Sequence, residues 1–233
     1  MGAKRKKLDI KDPILWYLVG VITSDGCLSP DGRHVSITAN DKKYLETLRN
    51  AAGIVGKVGI KKNSNHKECF HLQVSNVGLY EFLLSIGLSP RKSLIQKEVN
   101  IPPKYFVDFC RGVIDGDGNI RRWIHPSNQH EQWVLRIYSA SAEFIIWFQK
   151  SIEQTFGAKG RLHIEEKPGK NRMHILKYGK IAAMEILKNC YYQNALALDR
   201  KAQIAQECCG SKRGWARSNT VCLNGRVVEL AYT

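Results

Sequence analysis

The sequence contains no apolar stretch of the roughly eighteen residues that a membrane-spanning helix requires. Its head, Met1-Gly2-Ala3-Lys4-Arg5-Lys6-Lys7, runs into further charged sequence with no hydrophobic segment behind it. The expectation is an intracellular protein, neither secreted by a signal peptide nor held in a membrane. No Cys-x-x-Cys pair occurs among the seven cysteines (Cys27, Cys69, Cys110, Cys190, Cys208, Cys209 and Cys222), so neither a zinc finger nor a complete disulfide framework is indicated. They suit a reducing compartment: a bacterial or archaeal cytoplasm, or an organelle. The histidines make no His-Glu-x-x-His and no metal knuckle, and both the G-x-G-x-x-G and the G-x-x-x-x-G-K-[ST] loops are missing. A nucleotide-dependent enzyme is therefore not expected. Acidic residues are scarce, 21 against 36 Lys and Arg in 233 residues, giving a formal charge of +15. Such an excess calls for a polyanionic partner, with nucleic acid ahead of an anionic membrane surface. The run Lys4 to Lys7 reads either as a localisation signal or as a solvated arm that touches phosphate.

What the sequence does contain is a repeat. Residues 16–26 (Trp16-Tyr17-Leu18-Val19-Gly20-Val21-Ile22-Thr23-Ser24-Asp25-Gly26) correspond to residues 108–118 (Asp108-Phe109-Cys110-Arg111-Gly112-Val113-Ile114-Asp115-Gly116-Asp117-Gly118), 92 positions on, through the skeleton G-V-I-x-x-D-G. The helical period of each motif gives way to two alternating stretches, an amphipathic helix, two more alternating stretches and a third helix. Two α-β-β-α-β-β-α repeats are predicted, residues 8–92 and 105–206, joined by a polar linker at 93–104 with Pro102-Pro103. The offset grows to 104 by Gly56 against Gly160, and the added residues are expected mainly in a surface hairpin around His125 to Gln132. In Lys57-Val58-Gly59-Ile60-Lys61 and Arg161-Leu162-His163-Ile164-Glu165, alternation places Val58, Ile60, Leu162 and Ile164 toward helices and the basic residues on the opposite face. The tail, residues 207–233, has no repeat partner.

Gly20 and Ser24 lie four apart, as do Gly112 and Gly116, so each motif helix has a face of nearly bare backbone on which the other can pack. If Gly26 and Gly118 end those helices in the left-handed conformation, Asp25 and Asp117 fall side by side at two helix C-termini. Helix dipoles and mutual repulsion disfavour two carboxylates there unless a cation joins them. Hard oxygens without thiolate or imidazole favour Mg²⁺.

Both copies resemble the LAGLIDADG motif, here Leu18-Val19-Gly20-Val21-Ile22-Thr23-Ser24-Asp25-Gly26 and Cys110-Arg111-Gly112-Val113-Ile114-Asp115-Gly116-Asp117-Gly118. Over roughly residues 12–206 the chain is similar to the single-chain, two-repeat LAGLIDADG homing endonucleases. Thr23, Cys110 and Arg111 depart from the motif at helix-packing positions. The resemblance implies an α+β fold with two pseudo-symmetric αββαββα repeats packed through their motif helices. It further implies a double-strand break with 3′ overhangs at a long asymmetric duplex site, made by metal-dependent phosphodiester hydrolysis. Asp25 and Asp117 would be the catalytic metal ligands, helped by the backbone of Ser24 and Gly116. The ion would be Mg²⁺, with Mn²⁺ as an alternative and Ca²⁺ bound but catalytically poor. The resemblance also places Lys92 and Lys201 near the scissile phosphates, with Arg91 and Arg200 as rivals for the same role.

Each four-stranded antiparallel sheet would then lie along a major groove, with alternate residues facing the DNA. In the first repeat these are Ser29, Arg33, His34, Ser36, Lys57 and Lys61. In the second they are Arg121, His125, Arg136, Arg161, His163 and Lys177. Lys61 and Lys62 correspond to Glu165 and Glu166, so the halves would read different sequences. The implied partner is double-stranded DNA bound by a monomer, with host intron RNA as a further partner. Met1 and the lack of flanking splicing segments predict a freestanding, intron-borne frame. The alternatives are an RNA maturase that assists intron splicing, a catalytically inactive DNA-binding protein of the same fold, and a hydrolase of small acidic metabolites.

Overall fold

The computed structural model describes residues 9–62, 68–211, 220–223 and 226–229. The run Lys4 to Lys7 lies outside them, as does much of the tail. The first repeat contains α1 (Pro13–Asp25), β1 (Gly26–Leu28), β2 (His34–Ala39), α2 (Lys42–Ala51), β3 (Val58–Lys62), β4 (Glu68–Ser75) and α3 (Val77–Ser85). After a short 3₁₀ turn, Pro103–Tyr105, the second contains α4 (Phe106–Asp117), β5 (Gly118–Ile124), β6 (Glu131–Ser139), α5 (Ala142–Phe156), β7 (Arg161–Glu165), β8 (Met173–Gly179) and α6 (Lys180–Cys190). A further helix, α7 (Asp199–Gly210), follows, and β9 (Thr220–Leu223) pairs with β10 (Arg226–Glu229). The α7 helix has no counterpart in the first repeat, and the periodicity does not predict it.

Local chemistry sets the element starts. Asp12 accepts a hydrogen bond from the Ile14 amide at 2.9 Å and Pro13 occupies the first turn of α1. Asp41, Asn76 and Ser141 cap α2, α3 and α5 in the same way. Both sheets are antiparallel and have the same order, β1-β2-β4-β3 and β5-β6-β8-β7. Matching registers, with Gly26 opposite Ile37 and Gly118 opposite Ile137, show that eight of the added residues enter the β5–β6 hairpin. The remainder lengthen α5 relative to α2.

The two motif helices form the centre. Residues 15–23 of α1 are all buried, apolar around nearly the whole circumference, as befits a helix enclosed by its own sheet on one side and by α4 on the other. The approach is closest at Gly20 and Gly112. A Cβ on Gly20 would overlap the Phe109 carbonyl oxygen, and one on Gly112 would lie 2.9 Å from the Gly20 Cα. Phe106, Phe109, Phe144, Trp147 and Phe148 pack as a ring cluster beside α4, and Trp16 stacks on Tyr105 at 5.6 Å, joining the repeats. The linker is docked: Val99 and Gln96 are buried, and the Asn100 amide donates to the Ile86 carbonyl at 2.8 Å.

Two expectations about the strands and helix ends are corrected. Gly26 and Gly118 are extended (φ −93° and −81°), not left-handed, so each helix passes straight into a strand. Glycine is needed there for room, since a Cβ on Gly26 would lie 2.5 Å from the Ile22 Cα. Ile60 and Ile164 have the inward parity but are 64% and 56% exposed, whereas Val58 and Leu162, two residues earlier on the same strands, pack against the core.

Candidate active site and nucleic-acid interface

Asp25 and Asp117 end α1 and α4, and the glycine contact brings them together: a Cβ on Gly116 would lie 3.1 Å from Asp25 Oδ2. Among the described residues no hydrogen bond or ion pair satisfies either carboxylate. Each keeps one side open to solvent while protein crowds the rest. Burial raises the Asp25 carboxyl above the usual range, with lysines opposing the rise. Burial and then the charge of Asp25 push Asp117 up to about 6. Two carboxylates held together without a donor are hard-oxygen acceptors whose mutual repulsion a nearby cation would relieve.

Each aspartate lines its own cleft. One, about 340 Å³, brings Asp25 together with Asp115, Gly116, Leu198 and Arg200. The other, about 210 Å³, brings Asp117 together with Ser24, Lys92, Ser139 and Phe144. A larger groove of about 1120 Å³ between the linker and α5 contains neither aspartate.

The lysines that follow the third helix of each repeat make parallel contacts. Lys92 Nζ donates to the Gly26 carbonyl and Lys201 Nζ to the Gly118 carbonyl, both at 2.7 Å. Lys201 also donates to the carbonyls of Ile114, Asp115 and Gly116, at 2.6, 2.7 and 3.3 Å, and so caps the C-terminus of α4. The Gly116 carbonyl expected as a metal ligand thus accepts from Lys201, which uses one of its two lone pairs. Although each lysine grips its own motif, each motif aspartate is lowered more by the lysine after the other repeat's third helix, Asp25 by Lys201 and Asp117 by Lys92, while the strongest charge partner of Lys201 itself is the buried Asp115. Burial lowers both ammonium groups, Lys201 to about 8. Of the rivals, Arg200 lines the Asp25 cleft, whereas Arg91 is exposed at a left-handed position, φ 57°.

A buried network that the sequence pattern does not reveal supports this arrangement. Asp115, 3% exposed, accepts from Tyr17 Oη and Tyr191 Oη at 2.7 Å and from the Leu198 amide at 2.8 Å, fixing the start of α7. Arg111, 2% exposed, pairs with Asp108 at 2.8 Å and donates to the carbonyls of Leu196 and Cys190. A buried charge pair whose arginine also donates to main-chain carbonyls is how such a residue is tolerated inside a motif helix.

Strand pairing decides which predicted residues share the outer sheet face. His34, Ser36 and Lys61 lie on it in the first repeat, with Lys57 of the same parity just before β3 and Ser29 at the hairpin turn. Arg33 does not: it has the opposite parity, outside the ladder, 3.9 Å from Asp31, which also contacts His34 Nδ1. In the second repeat Arg121, Arg136, Arg161, His163 and Lys177 share the face, and His125 continues it beyond β5. Cys27, Thr38, His71, Gln73, Asn119, Trp123 and Tyr138 also belong to it beyond the residues expected, although the same alternation marks them. Arg136 Nε and His71 Nδ1 are buried on this face without a partner among the described residues.

The high proton affinity of Asp117 has a measurable consequence in metal-free protein. Its folded value of about 6 exceeds the unfolded value of about 3.9, so the folded state retains a proton that the unfolded state releases between those values. Stability therefore falls as pH rises through this window and stays lower above it. In EDTA, Asp117→Asn is expected to melt higher than the parent at pH 8, with the gap closing between pH 6 and 4. Thermal melts showing no gap at pH 8, or one that widens in acid, would contradict this electrostatic reading.

No family model and no curated protein matches the sequence. Solved structures do match. The homing endonuclease I-WcaI bound to its DNA recognition sequence aligns with a TM-score of 0.59 at 11% identity, over 86% of this chain and 89% of that one. LAGLIDADG homing endonuclease I-GzeII in complex with its DNA target gives 0.52 at 16%, over 85% and 90%. Full-length DUF199/WhiA from Thermatoga maritima gives 0.54 at 15%, over 92% of this chain but only 66% of that longer chain. At these identities the likeness is one of fold. The paired glycine-packed helices and twin β1-β2-β4-β3-type sheets give this chain the two-domain α+β fold of the LAGLIDADG proteins.

Proposed function

We propose that the protein is a divalent-metal-dependent DNA endonuclease that cuts both strands of a long asymmetric site as a monomer encoded by an intron. The observation that carries this reading is the pair Asp25 and Asp117: two carboxylates without a partner among the described residues, at adjoining helix ends between two sheets whose outer faces carry lysine and arginine. The folds of DNA-bound endonucleases support it, but WhiA shares that fold, so the reading rests on the site.

The donor set fits Mg²⁺ or Mn²⁺. Asp25, Asp117 and the backbone oxygens of Ser24 and Gly116 are hard donors. Among the described residues no group of three or more His, Cys, Asp or Glu is able to hold a metal ion, so water and phosphate oxygens would have to complete the shell. A bound divalent ion supplies Lewis acidity and lowers the pKa of its water. The chain's own groups do the rest. Lys92 and Lys201, anchored to the motif carbonyls, hold positive charge where a phosphate approaching either aspartate gains negative charge. Arg200 adds a second cation to the Asp25 cleft. Lys57, Lys61, Arg136, Arg161 and Lys177 bind the phosphates and base edges on either side of the cut.

The test is cleavage of a randomised duplex library in Mg²⁺ with sequencing of the cut ends, beside binding in Ca²⁺ across a salt series. One long site should be enriched with 3′ overhangs. Log affinity should fall steeply with log salt, by about 0.9 per phosphate neutralised. Retention of a duplex or folded intron RNA without cutting would move the function to binding or splicing assistance. A flat salt response would remove nucleic acid altogether.

A further inference from the structure

The strands β1 and β5 start at the residue after each motif aspartate, so their length measures how far each sheet extends from the point of chemistry. β1 has 3 residues and its ladder ends at Leu28 opposite Val35. β5 has 7 and its ladder continues to Ile124 opposite Glu131. The second hairpin is therefore four residue pairs longer, which at about 3.3 Å per residue adds about 13 Å. Four base pairs of B-form DNA, at about 3.4 Å each, cover the same length. The outer strands do not offset the difference: β3–β4 and β7–β8 each pair over five residues.

The extension is braced. On its inner side Arg122 forms an ion pair with Glu131 at 2.6 Å and lies 5.9 Å from the Trp133 ring, while Lys180 at the start of α6 reaches Glu131 at 3.5 Å. On its outer side it presents Arg121 and Trp123, both exposed, with Gln132 opposite Trp123. The first hairpin is instead closed short. Asp31 gathers His34 and Arg33, and Tyr80 Oη donates to the Ser29 carbonyl at 2.6 Å, tying the turn to α3.

Building on the endonuclease reading, we propose that the target is unequal about its cut: the C-terminal repeat reads about four base pairs further out than the N-terminal repeat, with Arg121 and Trp123 as the outer specificity residues. The guanidinium suits a guanine edge, and the indole suits the methyl group of thymine.

The experiment is hydroxyl-radical footprinting of the selected duplex in Ca²⁺, with site selection repeated for the Arg121→Ala/Trp123→Ala double variant. Protection should extend about four base pairs further from the cut on one side. The variant should lose about tenfold in selectivity at the outermost positions of that side alone. Equal protection on both sides, or relaxation next to the cut, overturns the proposal. A duplex that is bound but never cut would sink the nuclease reading, and the one-ended effect of the double variant would still decide the inequality.

Discussion

Asp25→Asn and Asp117→Asn should each abolish formation of a linear product from a plasmid bearing the selected site, at least about 10³-fold, while duplex binding without metal changes little. Asparagine preserves size but removes the charge that a divalent cation requires, and the amide nitrogen turns a donor toward it. The two clefts are separate, each built around one aspartate, so an intact cleft can still nick. Any residual product is therefore open circle, never linear. Folding should not suffer, since neither carboxylate has a partner to lose among the described residues and each is raised by burial. Linear product at the parent's rate from either variant would show that the paired carboxylates are not the catalytic centre.

Gly112→Ala should be among the most damaging small changes, costing several kcal/mol, and Gly112→Leu should prevent folding. The first added carbon would overlap the Tyr17 carbonyl and lie 2.8 Å from the Val21 amide nitrogen, both main-chain atoms of α1 that move only if the helices part. Parting them would open the core and pull Asp25 from Asp117. Gly179→Ala is the control: nothing lies within 4 Å of its added carbon, its φ of −70° suits any residue, and its effect should stay within about 1 kcal/mol. Urea melts of the two variants decide this. A Gly112→Ala protein as stable as the parent would mean that the motif helices are not held at glycine contact.

Both results depend on positions that are legible in the amino-acid sequence, because they belong to patterns of local origin. A repeated G-V-I-x-x-D-G skeleton fixes where two helices have bare faces and where their aspartates fall. A period of two fixes which of Lys57, Lys61, Arg161 and His163 share a strand face. Such patterns fail where a local rule meets a boundary. Arg33 and His34 are adjacent, and adjacent strand residues cannot share a face, so only His34 joins the outer one. Ile60 and Ile164 follow the inward pattern yet are exposed, two residues beyond Val58 and Leu162, which pack against the core. Gly26 and Gly118 suggest freedom of φ at a helix end, whereas lack of space is what requires glycine there.

Other features arise only when distant segments meet. Tyr17 and Asp115 are 98 residues apart, and Tyr191 and Asp115 are 76 apart, so their shared hydrogen bonds leave no periodic trace. The stronger effect of Lys201 on Asp25 and of Lys92 on Asp117 crosses the repeat boundary, and Lys92 lines the Asp117 cleft, a pairing that no spacing along the chain encodes. The unequal hairpins are visible as an offset in the sequence, but only the registers show that four pairs of it lengthen the DNA-facing ladder. By itself the sequence determined the repeat, the paired helices, their two carboxylates and the alternation of each strand, since these follow from the geometry of single elements. The tertiary structure decided which charges face one another and how far each sheet reaches, since electrostatics and reach depend on distances through space that spacing along the chain does not encode.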